Sequence, residues 1–152
     1  MPQKHNLFVD LTVKENLKIA GLSLDSNTFK DRTEKAMSTF LSLTSYMRSK
    51  VRQLSGGERQ FLALAMATLQ QPKMILLDEP FTGLSPKYIL VFINFLKVLN
   101  EENGITFLIV DHHLKECLTI ATKVVGLKLG RLFYEMDVNQ NLNTNTVYDV
   151  YK

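Results

Sequence analysis

The chain has 152 residues, 45% of them apolar, with a formal net charge of +3 and a mean hydropathy of −0.02. That is enough chain for one domain with its own core. It has no apolar run near the ~20 residues of a membrane span and, with Lys and Arg scattered, no basic face to suggest a nucleic-acid partner. A single cysteine, Cys117, rules out an internal disulfide and suits a reducing compartment, and Met1-Pro2-Gln3-Lys4-His5 lacks the apolar stretch of a signal peptide.

Residues 1–53 read as helix-rich, with no clear strand. Thr12-Val13-Lys14-Glu15 has the spacing of a capping box and predicts a short helix to about Gly21. A second helix is expected from about Asn27 to Leu43, with Phe29, Ala36, Met37, Phe40 and Leu41 on one face. From Leu54 the pattern becomes α/β and holds to about residue 136. Ser55-Gly56-Gly57-Glu58 is again a capping-box string and predicts a helix to about Gln70, stopped by Pro72. Met74 to Asp78 is a continuous apolar run, the composition of a strand buried on both faces. Ser85-Pro86 and Gly104 bracket a long helix. Thr106–Val110 and Lys123–Leu127 read as a second and third buried strand, and Leu129–Met136 as a hairpin arm. Residues 137–152, rich in Asn and Thr, read as an exposed polar tail in which Val147, Tyr148 and Tyr151 are candidates to dock. Buried strands separated by helices imply a parallel sheet.

Four strings carry chemistry. In Leu54-Ser55-Gly56-Gly57-Glu58-Arg59-Gln60, two glycines at a helix start let backbone N–H groups approach an anion, the helix dipole adds positive potential, and Ser55 offers a hydroxyl. In Met74-Ile75-Leu76-Leu77-Asp78-Glu79-Pro80, an apolar strand ends in two carboxylates. Asp78 and Glu79 stand at the strand tip, where the bland reading is an acidic turn into a loop. Asp111-His112-His113 follows a further strand, at the end where α/β sheets bind ligands. The fourth string is Pro2-Gln3 with Asn6-Leu7-Phe8 and Asp10 to Leu17 behind it.

In this order the four strings resemble the Q-loop, signature, Walker B and H-loop of the ATP-binding cassette (ABC) transporter ATPases, over residues 1 to about 136. The resemblance implies an ABC-type P-loop NTPase fold, a parallel-strand core plus a helical subdomain, with ATP and Mg²⁺ as cofactors. It implies that Ser55, Gly56, Gly57 and Glu58 bind the γ-phosphate of ATP held by the opposite subunit. It implies further that Gln3 touches Mg²⁺ and the attacking water, that Asp78 reaches the nucleotide-bound Mg²⁺ through water, that Glu79 is the general base, and that His112, with His113 as the alternative, contacts the γ-phosphate. Thr82-Gly83-Leu84-Ser85 takes the place of the D-loop, with Ser85 where many cassettes have Asp; the Gly-Leu-x-Pro variant is similar to cassettes of the branched-chain amino-acid and lipopolysaccharide-export type. Implied partners are a second cassette and a transmembrane permease met near Leu7–Leu17, which would hold a cytoplasmic protein at the inner face of the membrane.

The chain departs from the family at one point. No G-x-x-x-x-G-K-[ST] string occurs in it, and no segment supplies the aromatic residue that stacks on adenine. The backbone cradle, lysine and Mg²⁺-binding hydroxyl of the P-loop are therefore missing from these residues, and the chain alone is expected to be inactive. In the family fold the P-loop strand lies between the H-loop strand and the next, so a gap is expected between Thr106–Val110 and Lys123–Leu127. The chain is expected to be a fragment of a longer reading frame or a truncated product. Two other readings stay open: a non-catalytic partner that lends its signature in trans, and a soluble ABC protein of translation or DNA repair.

Overall fold

The computed structural model describes residues 7–138 and Val147, so Gln3, Tyr148 and Tyr151 lie outside the described residues. The chain divides into two compact units, Met1–Val110 and Asp111–Lys152.

In the first unit, helix α1 (Val13–Ala20) begins where its capping box predicts. The Thr12 hydroxyl accepts from the Glu15 N–H, and the Glu15 carboxylate takes the Thr12 N–H at 2.7 Å. Asn16, fully buried, pins the incoming strand of chain. Its Oδ1 accepts from the Phe8 N–H at 2.8 Å, and its Nδ2 donates to the carbonyls of Phe8 and Thr12. Replacing it leaves the Phe8 amide without its acceptor, so Asn16→Ala is expected to destabilise the chain by about 1–3 kcal/mol. A thermal melt unchanged from the wild type would refute that account. Residues 9–13 then run beside residues 49–52, with Val51 N–H on the Leu11 carbonyl (2.9 Å) and Val13 N–H on the Ser49 carbonyl (3.1 Å).

Helix α2 (Ser26–Thr39) is capped by Asp25 and stops short of the predicted Leu43. Phe40 leaves helical geometry (φ −102°, ψ 56°), and a 3₁₀ turn, Leu41–Tyr46, follows. Packing explains the break: Phe40 stacks on Phe95 (4.9 Å between ring centroids), while Leu41, expected on the same face, is 71% exposed.

Helix α3 (Gly56–Thr68), strand β1 (Met74–Asp78), helix α4 (Pro86–Asn103) and strand β2 (Thr106–Val110) follow at the expected places. Gly104 closes α4 in the left-handed region (φ 65°). Strands β1 and β2 are parallel, with Met74 opposite Thr106 and Asp78 opposite Val110. One expectation fails here. Neither strand is buried on both faces: Ile75 and Leu77 are buried, but Met74, Leu76, Leu108 and Val110 are 48–61% exposed. A continuous apolar run is the composition of a strand with a layer on each side, and among the described residues only the Ile75–Leu77 face has one.

In the second unit, a short helix α5 (Leu114–Leu118) precedes strands β3 (Lys123–Lys128) and β4 (Arg131–Asp137), joined by a two-residue turn with Leu129 (φ 52°) and Gly130 (φ 73°) both left-handed. The hairpin arm is as predicted, but β3 is not a third buried strand of the parallel sheet. It pairs antiparallel with β4 in a separate sheet and exposes Val125 and Leu127. Its apolar run reads as buried because the hairpin keeps β-branched residues on both faces. Gly126 lies under the Tyr134 ring, and Lys123 pairs with Glu135. Val147 is buried.

Candidate functional site

The tip of α3 is built by its own sequence. Ser55, in extended geometry, is the N-cap; its hydroxyl accepts from the Glu58 N–H (3.3 Å), and the Glu58 carboxylate accepts the Ser55 N–H (2.7 Å). Buried Leu54 and Val51 anchor the approach, and Arg59 holds the carbonyls of Val51 and Arg52 (3.2 and 2.9 Å). Partial burial pushes the Glu58 carboxyl up, but hydrogen bonds from the Ser55 backbone and hydroxyl and from Tyr46 outweigh it, and the group titrates below the ordinary value. Glu58 is thus engaged within the protein.

The two glycines differ. Neither has a left-handed φ, so the backbone does not demand glycine at either position. A Cβ on Gly57 would lie 2.8 Å from Cδ1 of Tyr88, on α4; a Cβ on Gly56 would meet nothing within 4 Å. Gly57 is buried, whereas Ser55 and Gly56 face solvent. The amides of Gly56 and Gly57 belong to the first turn, where no intrahelical acceptor exists.

At the end of β1 the period-2 alternation turns Ile75 and Leu77 inward and leaves Asp78 exposed. Glu79 leaves the strand with φ 44°, an unusual value for a residue with a side chain. Its N–H is held by the Val110 carbonyl at 2.7 Å, and its Oε2 lies 3.3 Å from the Thr82 hydroxyl. Behind it Phe81, fully buried, meets Phe92 edge to face at 6.0 Å and anchors the loop. That loop ends at exposed Ser85, the N-cap of α4, whose hydroxyl makes no capping bond.

In the second unit, the Asp111 carboxylate is fully buried and accepts from the His113 N–H (2.8 Å), with His113 Nδ1 at 2.7 Å. His112 stands outside this arrangement: its side chain is 62% exposed and its Nδ1 is 3.8 Å from the same carboxylate oxygen. His113 is committed to Asp111, and His112 is the histidine that reaches solvent. Cys117 is no candidate nucleophile, since burial first, then the charges of Asp111 and Glu116, push its thiol up to about 12. Sequence reading missed Tyr46 and Tyr88, and it placed Thr82 in the loop after β1 without its bond to Glu79. Only Thr82 left a local signal, an i+3 hydroxyl behind a carboxylate at a turn.

Among the described residues no helix is long and apolar enough to cross a membrane. A sequence profile of the ABC transporter family matches residues 1–82. The chain is 37% identical over 142 residues to a probable branched-chain amino acid transport ATP-binding protein, LivF, of Archaeoglobus fulgidus, covering 93% of this chain and 60% of that protein. It is 32% identical over 152 residues to the high-affinity branched-chain amino acid transport ATP-binding protein BraG of Pseudomonas aeruginosa, covering 99% and 64%. Among solved structures, the post-hydrolysis dimer of the ATP-binding cassette MJ0796 bound to ADP and Pi matches with a TM-score of 0.74 and 27% identity, over 88% of this chain and 60% of that one. The chain thus spans about three-fifths of the length of these two relatives. The profile covers more than half of these residues and the fold is that of the solved cassettes, an ABC-type P-loop NTPase fold: the chain belongs to the ABC transporter ATP-binding family.

Proposed function

We propose that these residues serve as the part of an ABC-transporter ATPase subunit that runs from the Q-loop onward, and that the α3 tip closes an ATP site on a second cassette. The observation that carries this reading is Gly56: it is exposed, has an ordinary φ, and has open space where a Cβ would stand. Alanine is favoured over glycine in a helix by up to about 1 kcal/mol, so nothing inside the described protein calls for glycine there. Close approach of an external group does. The exposed first-turn amide of Gly56 and the Ser55 side chain suit a phosphate oxygen, and Glu58 acts by holding the cap.

On the chain's own side, Asp78 faces solvent as a Mg²⁺-serving carboxylate would, through water. Glu79 is the general base for the attacking water, and His112, with Gln3, orients it. Ser85 lies where two cassettes meet. ATP bound with Mg²⁺ supplies the phosphoryl group; a P-loop supplies its main cradle, so the 152 residues alone are expected not to hydrolyse it. The partners are a second cassette and a permease reached near Leu7–Leu17, which would keep the protein cytoplasmic, at the inner face of the membrane.

The test adds the chain to a complete branched-chain-type cassette whose own signature serine has been replaced. ATP hydrolysis is expected to rise with added chain and to fall about a hundred-fold to a thousand-fold when the chain carries Ser55→Ala, the loss seen when one charge-stabilising donor is removed. Gly56→Ala is expected to abolish the rise while leaving the melting temperature unchanged or higher. No rise with wild-type chain, or a rise that survives both substitutions, would sink the reading.

A further inference from the structure

Gly57 poses a separate question, because its reason for being glycine lies inside the protein. It is the second residue of α3, with a φ that any residue adopts, and alanine there would favour the helix. What forbids a side chain is Tyr88: a Cβ would come within 2.8 Å of Cδ1 and 3.1 Å of Cε1, against the flat face of a ring rather than a flexible end. Tyr88 sits in the first turn of α4, three residues after Ser85. Its ring is itself braced, 6.3 Å from Phe61, which stacks on Phe92 at 5.6 Å. The first turns of two helices therefore meet through one aromatic ring on one glycine. The α4 turn is the end of the loop that begins at Glu79, where Thr82 bonds the carboxylate and Phe81 packs on Phe92.

We propose that Tyr88 is a positioning residue: its ring sets the spacing between the α3 tip and the start of α4. It thereby ties the donors Ser55 and Gly56, which serve one ATP, to the loop carrying Glu79, which serves another. The inference rests on the functional reading above for its consequence, but not for the contact itself. Gly57 is then a glycine for the sake of a neighbouring helix, and Gly56 for the sake of a ligand. A movement at either phosphate site reaches the other through Tyr88 as a spacer: the residue is 39% exposed, but its ring has only two side-chain torsions and lies between the Gly57 backbone and the Phe61 ring.

The test uses the full chain with Gly57→Ala, Tyr88→Ala, Tyr88→Phe and the double variant Gly57→Ala/Tyr88→Ala. Two readouts are taken: amide NMR signals of residues 55–58 in the free chain, and the rise in ATP hydrolysis when the chain is mixed with the signature-disabled cassette. Gly57→Ala is expected to displace the tip amide signals and to cut the rise about ten-fold or more, since displacements below 1 Å cost that much at a positioned donor. Removing the ring from the same variant is expected to return the signals toward wild type and the rise to within about three-fold of it. Tyr88→Phe, which keeps the ring, is expected to match wild type in both. The inference is overturned if Gly57→Ala leaves the tip amides where they were, or if Tyr88→Ala gives no rescue. Should the wild-type chain give no rise at all, the functional reading fails, and the amide signals alone decide whether Tyr88 spaces the two helices.

Discussion

Phe61→Ala is expected to remove about 3–5 kcal/mol of stability, the range for emptying an aromatic site in a packed core. Phe61 is 2% exposed and stands at the meeting point of four other rings: Phe95 edge-on at 5.1 Å, Phe92 stacked at 5.6 Å, Tyr88 at 6.3 Å and Phe40 at 6.5 Å. These rings come from α4 and from the α2 terminus, so one side chain of α3 joins three segments distant in sequence. Truncation forfeits transfer energy and also aromatic pair terms of about 0.5–1.5 kcal/mol each. A typical domain of this size has only about 5–15 kcal/mol in hand. Urea unfolding of the chain checks the figure, with Leu90→Ala on α4 as a control, where 62% exposure predicts a change within about 0.5 kcal/mol. A Phe61→Ala loss below about 1 kcal/mol would mean that the rings close over the gap and that the cluster does not organise the unit.

The same cluster marks the limit of what local sequence conveys. The starts of α1, α3 and α4 are legible because a capping box or a Ser-Pro pair acts within four residues. The strand β1 and its acidic end are legible for the same reason, with apolar run, carboxylates and proline adjacent. The early end of α2 is not, since Phe40 breaks the helix to reach Phe95, more than fifty residues away in sequence. Burial is also illegible from a run of apolar residues: Leu77 and Leu76 look alike in sequence, yet one is 3% exposed and the other 56%, because burial depends on what lies over each face. At the candidate site, the residue types of the α3 tip could be read from the string, but not that one glycine faces open space and the other a tyrosine from a different helix. That distinction is tertiary, and it changes which substitution tests ligand approach and which tests packing.

Glu79→Gln carries the largest expected effect on chemistry, and its assay must give this carboxylate a nucleotide of its own. Joining the P-loop-bearing N-terminal part of a branched-chain cassette ahead of residue 1 does so. In that chimera Glu79→Gln is expected to lower turnover by at least about a hundred-fold, the lower end for losing a general base, while ATP affinity stays within about three-fold. The substitution is close to isosteric. The amide oxygen still accepts from Thr82 Oγ1, and the backbone N–H still meets the Val110 carbonyl, so the left-handed turn at φ 44° keeps both of its supports. What changes is the ability to take a proton from water. The mixing assay supplies the converse: there the ATP lies on the partner's P-loop, so Glu79→Gln in the 152-residue chain should leave the rise in hydrolysis intact, whereas Ser55→Ala should remove it. A chimera that hydrolyses ATP equally well with glutamine at this position would show that the carboxylate at the end of β1 shapes the turn and nothing more. A mixing assay that depends on Glu79 would instead place Glu79 in the partner's site and undo the division of labour between the two ends of this unit.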